Sequence, residues 1–407
     1  MVQKKLLQMV TDLNSLKPED HAPGIAGHHL EASDRGWCNK QTESILHDGR
    51  DELAREFQHF NSRFRGRMVL KPGNVQKITR VSVGKCMHRT SDSSLHYCVV
   101  NGNVPAVGRV HTNEKSTRQV WHEIAIWSQV AHPHIVKMIG ITYVNDKPCV
   151  LSEYHGEGSL YDANRRQLRL LTNSPLEIHA TPAEMTIGGG SAFPPSASAH
   201  STPQTHTPTA SASAAARPEL LLVEWARNIA SAMAYLHTLT PVAILHRNLK
   251  SSNVLLSAGG TRLLITDFAT ACPLSSDMTP AVGSVRWMAP ELLNDMVYSE
   301  HTDVYAFAML CFEMLTYTMP FEHCTIQQAA FKVAAGERPT LPSSTPQWIF
   351  ELITTCWRTK PDARPTFPQI STMLDKMVAT LSLLTFQQCN PHNQRVQHAG
   401  LLPSIFQ

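Results

Sequence analysis

Residues 246–253 read His-Arg-Asn-Leu-Lys-Ser-Ser-Asn and lead into the apolar run Val254–Leu256. Fourteen residues after Asn253 comes Asp267-Phe268-Ala269. Carboxylate and amide side chains carry the hard oxygen atoms that divalent cations take as ligands. Three more pieces follow: Trp287-Met288-Ala289-Pro290-Glu291, then Asp303-Val304-Tyr305-Ala306-Phe307, then Cys356-Trp357 leading to Pro361, Arg364-Pro365 and Phe367. Each piece alone is a weak signal. All five in this order within residues 246–367 form a specific one.

In that order they resemble the catalytic loop, metal-binding motif, activation-segment end and two C-lobe helices of the protein kinase family. The resemblance covers residues 75–380 apart from an insertion. It implies the bilobal α+β kinase fold, with a small antiparallel-sheet N-lobe over 75–156 and a mainly helical C-lobe over 157–380. It also implies ATP and Mg as ligands. Phosphoryl transfer passes through a loose transition state, so a kinase mainly positions groups and neutralises charge. Asn253 and Asp267 match the family's metal-binding positions, and Lys250 matches the lysine that contacts the transferred phosphate. Glu291 and Arg364 match a buried ion pair that ties the activation segment to the C-lobe, and Asp303 matches the residue that pins the catalytic loop. Ser152-Glu153-Tyr154-His155 resembles the hinge, with Ser152 as gatekeeper. Ser152, Glu153, His155 and Leu255 are therefore implied nucleotide neighbours. The C-W-x-x-x-P-x-x-R-P-x-F signature, Lys250 and Gly283-Ser284 point to the tyrosine-kinase-like group of Ser/Thr type.

Several positions depart from the family. Asn248 stands at the catalytic-base position, where an amide can hydrogen-bond a substrate hydroxyl but cannot take its proton. General-base catalysis contributes about 10²–10⁴-fold. On the third strand the family's V-A-I-K aligns with Pro105-Ala106-Val107-Gly108, which puts glycine at the lysine position. Arg109 is a rival one residue on. Strand side chains alternate faces, so this register places Ala106 and Gly108 toward the nucleotide and Arg109 away. Glu123, fifteen residues after Gly108, sits at a normal spacing for the family's helix glutamate. It then lacks its lysine partner, unless a bulge swings Arg109 inward. The phosphate loop aligns with Thr79–Gly84, where only Gly84 remains. Lys85 is either a substitute for the missing lysine or a solvated surface residue. Ala269 replaces the glycine after Asp267-Phe268 and resists positive φ, so it should restrict flipping of that motif. Ser275, Ser276 and Thr279 are candidate phosphorylation sites that would pair with Arg247.

The elements that must position these residues follow from periodicity. Short β-branched runs (77–83, 97–100, 105–110 and 149–154) read as strands of an antiparallel sheet. A helix over Lys115–Val130 interrupts them, and helices dominate beyond residue 218, most clearly Leu220–His237 and Asp303–Thr316. Residues 1–70 read as a polar helical extension, and 385–407 as a tail without motif. In residues 181–216, 29 of 36 positions are Ser, Thr, Pro, Ala or Gly. Such a segment cannot bury enough apolar surface to offset its ordering entropy, so an insertion over 166–217 is expected to be disordered. Thr202-Pro203 and Thr207-Pro208 within it suit proline-directed phosphorylation.

Composition narrows the function classes. The chain has 407 residues, 42% hydrophobic and 17% charged, with a net charge of +3, which gives no case for nucleic-acid binding. Nine cysteines without a C-x-x-C pair argue against a disulfide framework or closed zinc site. No run suits a signal peptide or membrane span. The expected location is the cytoplasm or nucleus. The expected function is a catalytically impaired pseudokinase, acting as a scaffold or allosteric protein partner in signalling, with an active kinase as one such partner. The alternative is a low-activity or atypical Ser/Thr protein kinase that uses Arg109 or Lys85.

Overall fold

The computed structural model describes residues 78–389 apart from 79, 90–92, 112–113, 145–146, 173–218, 241, 275–283 and 295–297. The expectations for the extension 1–70 and for the phosphorylation sites lie outside the described residues. In the first lobe, β1 (Val81–Arg89), β2 (Ser93–Val100), β3 (Val104–His111), β4 (Met138–Val144) and β5 (Lys147–Glu153) form one antiparallel sheet in the order β1-β2-β3-β5-β4. Helix α1 (Glu114–Trp127) lies between β3 and β4. Its buried residues Val120, Ile124 and Trp127 recur at helical spacing and face the core.

The second lobe is mostly helical: α2 (Leu160–Thr172), α3 (Glu219–His237), α4 (Pro290–Asn294), α5 (Glu300–Thr316), α6 (Ile326–Ala334), α7 (Gln347–Cys356) and α8 (Phe367–Cys389). Two small ribbons interrupt it: β6 (Ile244–Leu245) with β9 (Cys272–Pro273), and β7 (Val254–Ser257) with β8 (Arg262–Ile265). Helix α2 continues past Arg166 to Thr172, so the first residues assigned to the insertion are helical. Helix α8 likewise runs past residue 385, into the stretch read as tail.

The central element is α5. Every residue from Thr302 to Met314 is buried, as expected for a helix apolar on all sides. Of the two acidic residues in this buried stretch, Asp303 and Glu313, the second lies near the C-terminal end of the helix. It accepts hydrogen bonds from Ser251 Oγ (2.5 Å) and Trp287 Nε1 (2.7 Å), and so ties the two segments carrying the motifs to one rigid helix. Burial pushes the Glu313 carboxyl up to about 7, against the opposing pull of these bonds.

Candidate functional site

Asp303, on α5, fixes the loop that carries the motif residues. Its carboxylate accepts the backbone N–H of His246 and of Arg247, both at 2.9 Å, and pairs with His237 Nε2 at 3.0 Å. These bonds, that of His237 foremost, outweigh burial and hold its pKa below the ordinary carboxylate value. Arg247 is held at φ +65°, a left-handed conformation that a non-glycine residue adopts only where its surroundings enforce it. Asp303→Asn would turn one acceptor into a donor facing buried N–H groups. A loss of about 1–3 kcal/mol is expected. Urea unfolding of the variant checks this, and an unchanged midpoint would remove Asp303 from its anchoring role.

Phe268 stacks between two rings. Trp127 lies 5.6 Å away on α1, and His246 lies edge-on at 5.4 Å on the loop. The two lobes are thereby joined beside Asp267. The left-handed residue here is Asp267 itself, at φ +71°. Ala269 is not among the residues with positive φ, so its Cβ meets no strain in this arrangement. His246 is fully buried, which lowers its pKa despite Asp303 and Asp267 nearby, so it is neutral near pH 7. Its Nε2–H donates to Thr266 O at 3.2 Å.

One chain of hydrogen bonds runs through the site. Lys250 Nζ donates to Ser284 Oγ at 2.8 Å, and Ser284 Oγ donates to Asn248 Oδ1 at 3.1 Å. Asn248 Nδ2 donates to Asp267 Oδ2 at 3.4 Å. Arg109 Nη1 donates to the other Asp267 oxygen at 2.5 Å and to Glu123 Oε1 at 3.3 Å. Burial disfavours charge on Asp267, but the charge and hydrogen bond of Arg109 overcome it and hold the carboxyl down to about 2. The buried Glu123 is pushed up to about 7, with Arg109 only partly offsetting burial. The difference follows the distances, since the shared guanidinium sits closer to Asp267.

These contacts correct the register of β3. Arg109, not Gly108, meets Glu123. Ala106, Gly108 and Val110 are buried in the other face of the sheet, in an apolar cluster with Cys98, Val100, Cys149 and Leu151. A Cβ on Gly108 would come within 2.7 Å of Cys98 Sγ and 3.0 Å of Cys149 Sγ. Glycine is there because two thiols fill the space, and Ala106 likewise faces away from the cleft. Val107, on Arg109's face by strand parity, takes the position expected of Ala106. The signal was present in the sequence: an arginine flanked at both sides by small or apolar residues in a strand. Spacing to Glu123 could not resolve a one-residue slip.

The phosphate-loop alignment is also corrected. Gly84 lies inside β1, whose Val81 and Val83 pair with Val100 and Cys98 on β2, and the pairing continues to Arg89 opposite Ser94. A Gly84 Cβ would meet Tyr97 O at 3.1 Å, a strand-pairing contact. Residues 81–84 are thus strand rather than a loop over phosphates. Lys85 is exposed on the same strand and is not the partner of Glu123.

The remaining candidates fall around the junction of the lobes. Ser152 is buried on β5 opposite Val107, and Glu153 ends that strand opposite Ala106. His155 follows, with Nε2 at 3.9 Å from Glu153 and burial lowering its pKa. Leu255, on β7, packs against the main core and bridges to Ser159. Arg247 is buried below Tyr298, 4.0 Å from the ring centroid, and donates to Cys272 Sγ at 3.3 Å. Sequence reasoning missed the hydroxyl of Ser284 as the link between Lys250 and Asn248. It had read that residue only as a group marker.

Of the two metal-binding positions, Asp267 is already engaged: its Oδ1 faces Arg109 Nη1 at 2.5 Å and its Oδ2 faces Asn248 Nδ2 at 3.4 Å. Asn253 Nδ2 donates to Asn248 O at 2.9 Å, which leaves Oδ1 as its ligand atom. Arg109 brings a fixed positive charge to the place where such a cation would neutralise carboxylates.

Comparison with known proteins agrees with this geometry. A family model described as protein tyrosine and serine/threonine kinase matches residues 82–374. Mitogen-activated protein kinase kinase kinase 7 of Homo sapiens is 32% identical over 252 residues, covering 61% of this chain and 34% of the relative. Serine/threonine/tyrosine-protein kinase HT1 of Arabidopsis thaliana is 30% identical over 277 residues, covering 66% and 58%. Dual specificity protein kinase pyk3 of Dictyostelium discoideum is 27% identical over 343 residues, covering 82% and 21%. The chain spans less than two thirds of the length of each of these relatives.

Proposed function

Since the chain belongs to the protein tyrosine and serine/threonine kinase family, we propose that it is a nucleotide-binding signalling domain in which phosphoryl transfer is impaired, and that it works mainly by engaging protein partners. An active kinase is the partner class this reading favours, and the cytoplasm or nucleus its place of action. The observation that carries the proposal is Asn248. It stands where the family's motif carries its base, and it is bonded to Ser284 and Asp267. An amide there orients a hydroxyl without accepting its proton. Loss of a general base lowers the rate by about 10²–10⁴-fold. ATP remains a suitable ligand, because Arg109 and Lys250 both bring positive charge to the cleft and Arg suits phosphate recognition.

A second reading is a slow Ser/Thr kinase. Ser284 Oγ, held between Lys250 Nζ and Asn248 Oδ1, shows that the loop can seat a hydroxyl between these two groups. The loose transition state asks little of a base. The two readings part in one assay. Full-length protein is incubated with labelled ATP and Mg²⁺ or Mn²⁺, beside Asp267→Asn and Asn248→Asp. The first reading expects no transfer by the natural chain above Asp267→Asn, and a gain in Asn248→Asp. Transfer by the natural chain that vanishes in Asp267→Asn would establish the second.

A further inference from the structure

We infer that this site binds free nucleoside triphosphate without a divalent cation, the Arg109 guanidinium supplying the positive charge between Asp267 and Glu123. The inference rests on the nucleotide-binding reading above and goes beyond it by naming the ionic species bound.

The donor geometry carries it. A divalent cation at Asp267 would have to share it with a fixed positive charge, since Oδ1 lies 2.5 Å from Arg109 Nη1 while Oδ2 lies 3.4 Å from Asn248 Nδ2. A cation entering here would have to compete with the tighter of these, a direct ion pair between two partly exposed groups. Arg109 meets both carboxylates through the same nitrogen, Nη1. A guanidinium has five N–H donors in a planar fork. Its remaining edge is thus free, among the described residues, to meet a phosphate while the inner nitrogen keeps its carboxylates. The side chain is 19% exposed, so solvent and a ligand can reach it.

The substitution at residue 248 acts in the same direction. An aspartate there would put a second carboxylate 3.4 Å from Asp267, and like charges so close disfavour one another unless a cation lies between them. The amide removes that repulsion and adds an attractive N–H contact. One acidic charge is therefore missing from the floor of the cleft, while Arg109 and Lys250 are both present. A polyanion therefore meets two cations, Arg109 and Lys250, with one carboxylate fewer to repel it than an aspartate at 248 would give. Arginine and asparagine at these two positions are thus one coordinated change in the charge of the site.

The test measures binding rather than turnover. The full chain is titrated with a fluorescent ATP analogue in EDTA and in excess Mg²⁺, with thermal shift by unlabelled ATP as a second readout. The expected result is an affinity in EDTA within about threefold of that in Mg²⁺, a difference well under 1 kcal/mol. Asn248→Asp should lose at least about tenfold in EDTA and regain it with Mg²⁺, because the new carboxylate demands a counter-charge. Binding by the natural chain only when Mg²⁺ is present would overturn the inference and leave the nucleotide-binding reading standing. Absence of binding in both buffers would overturn both, so the two failures are distinct.

Discussion

Gly108→Lys is expected to unfold the small lobe, whereas Arg109→Lys should leave it folded. On a sequence alignment alone the first change looks like a repair, since it restores a lysine where the family carries one. In the folded chain, position 108 faces the sheet's apolar cluster of Cys98, Val100, Ala106, Val110, Cys149 and Leu151. An added Cβ already stands 2.7 Å from Cys98 Sγ. Overpacking of this kind typically costs about 1–3 kcal/mol, and a buried unpaired ammonium adds several more. Domains of ordinary stability have about 5–15 kcal/mol in total. Circular dichroism and thermal melting of the purified variants decide the matter. Gly108→Ala should show the steric part alone and be partly rescued by Cys98→Ala, because that change removes the nearer sulfur. A Gly108→Lys protein as stable as the natural chain would return the lysine position to residue 108.

Glu291→Leu is expected to be the most damaging single change in the large lobe. Arg364 pairs with both carboxylate oxygens of Glu291, at 2.7 and 2.8 Å, with its side chain fully buried. The same guanidinium donates to the carbonyls of His301, Arg358 and Thr359, and lies over the Tyr305 ring. It therefore gathers α4, the start of α5 and the loop before α8. Removing only the carboxylate strands a charge in the interior, at about 3–5 kcal/mol. The double variant Glu291→Leu/Arg364→Leu should recover part of this loss, since neither charge is then left alone. Guanidinium-induced unfolding gives both numbers. A single-variant loss below about 1 kcal/mol, the range of an exposed pair, would mean the pair does not hold the two segments together.

Much of the large lobe was legible because its motifs are contiguous and each carries its meaning locally. Asp303 holds the backbone of His246 and Arg247, and Glu291 pairs with Arg364, as the resemblance implied. Helix α3 spans Glu219–His237 against an expected 220–237, since its apolar repeat is long and regular. The small lobe was harder. Its strands were found, but side-chain direction in a strand reverses with each residue, so one ambiguous position exchanges the core for the cleft. Ala106 and Gly108 went to the wrong face for that reason. The phosphate loop aligned with Thr79–Gly84 was misplaced likewise, because one surviving glycine is a weak marker and residues 81–84 are strand.

The residue types at 109, 123, 248 and 267 were settled by the sequence alone: an arginine, two carboxylates and an amide in place of a third carboxylate. That was enough to identify the family resemblance and to locate what is altered. Which of them touch was decided only by the tertiary structure. Arg109 and Asp267 are separated by 158 residues, and their 2.5 Å contact exists because β3 and the loop after β8 are brought together by two lobes packed on α1 and the Phe268 stack. Hydrogen-bond geometry at that scale follows from packing, in which a shift of one strand residue replaces an ion pair with a buried glycine.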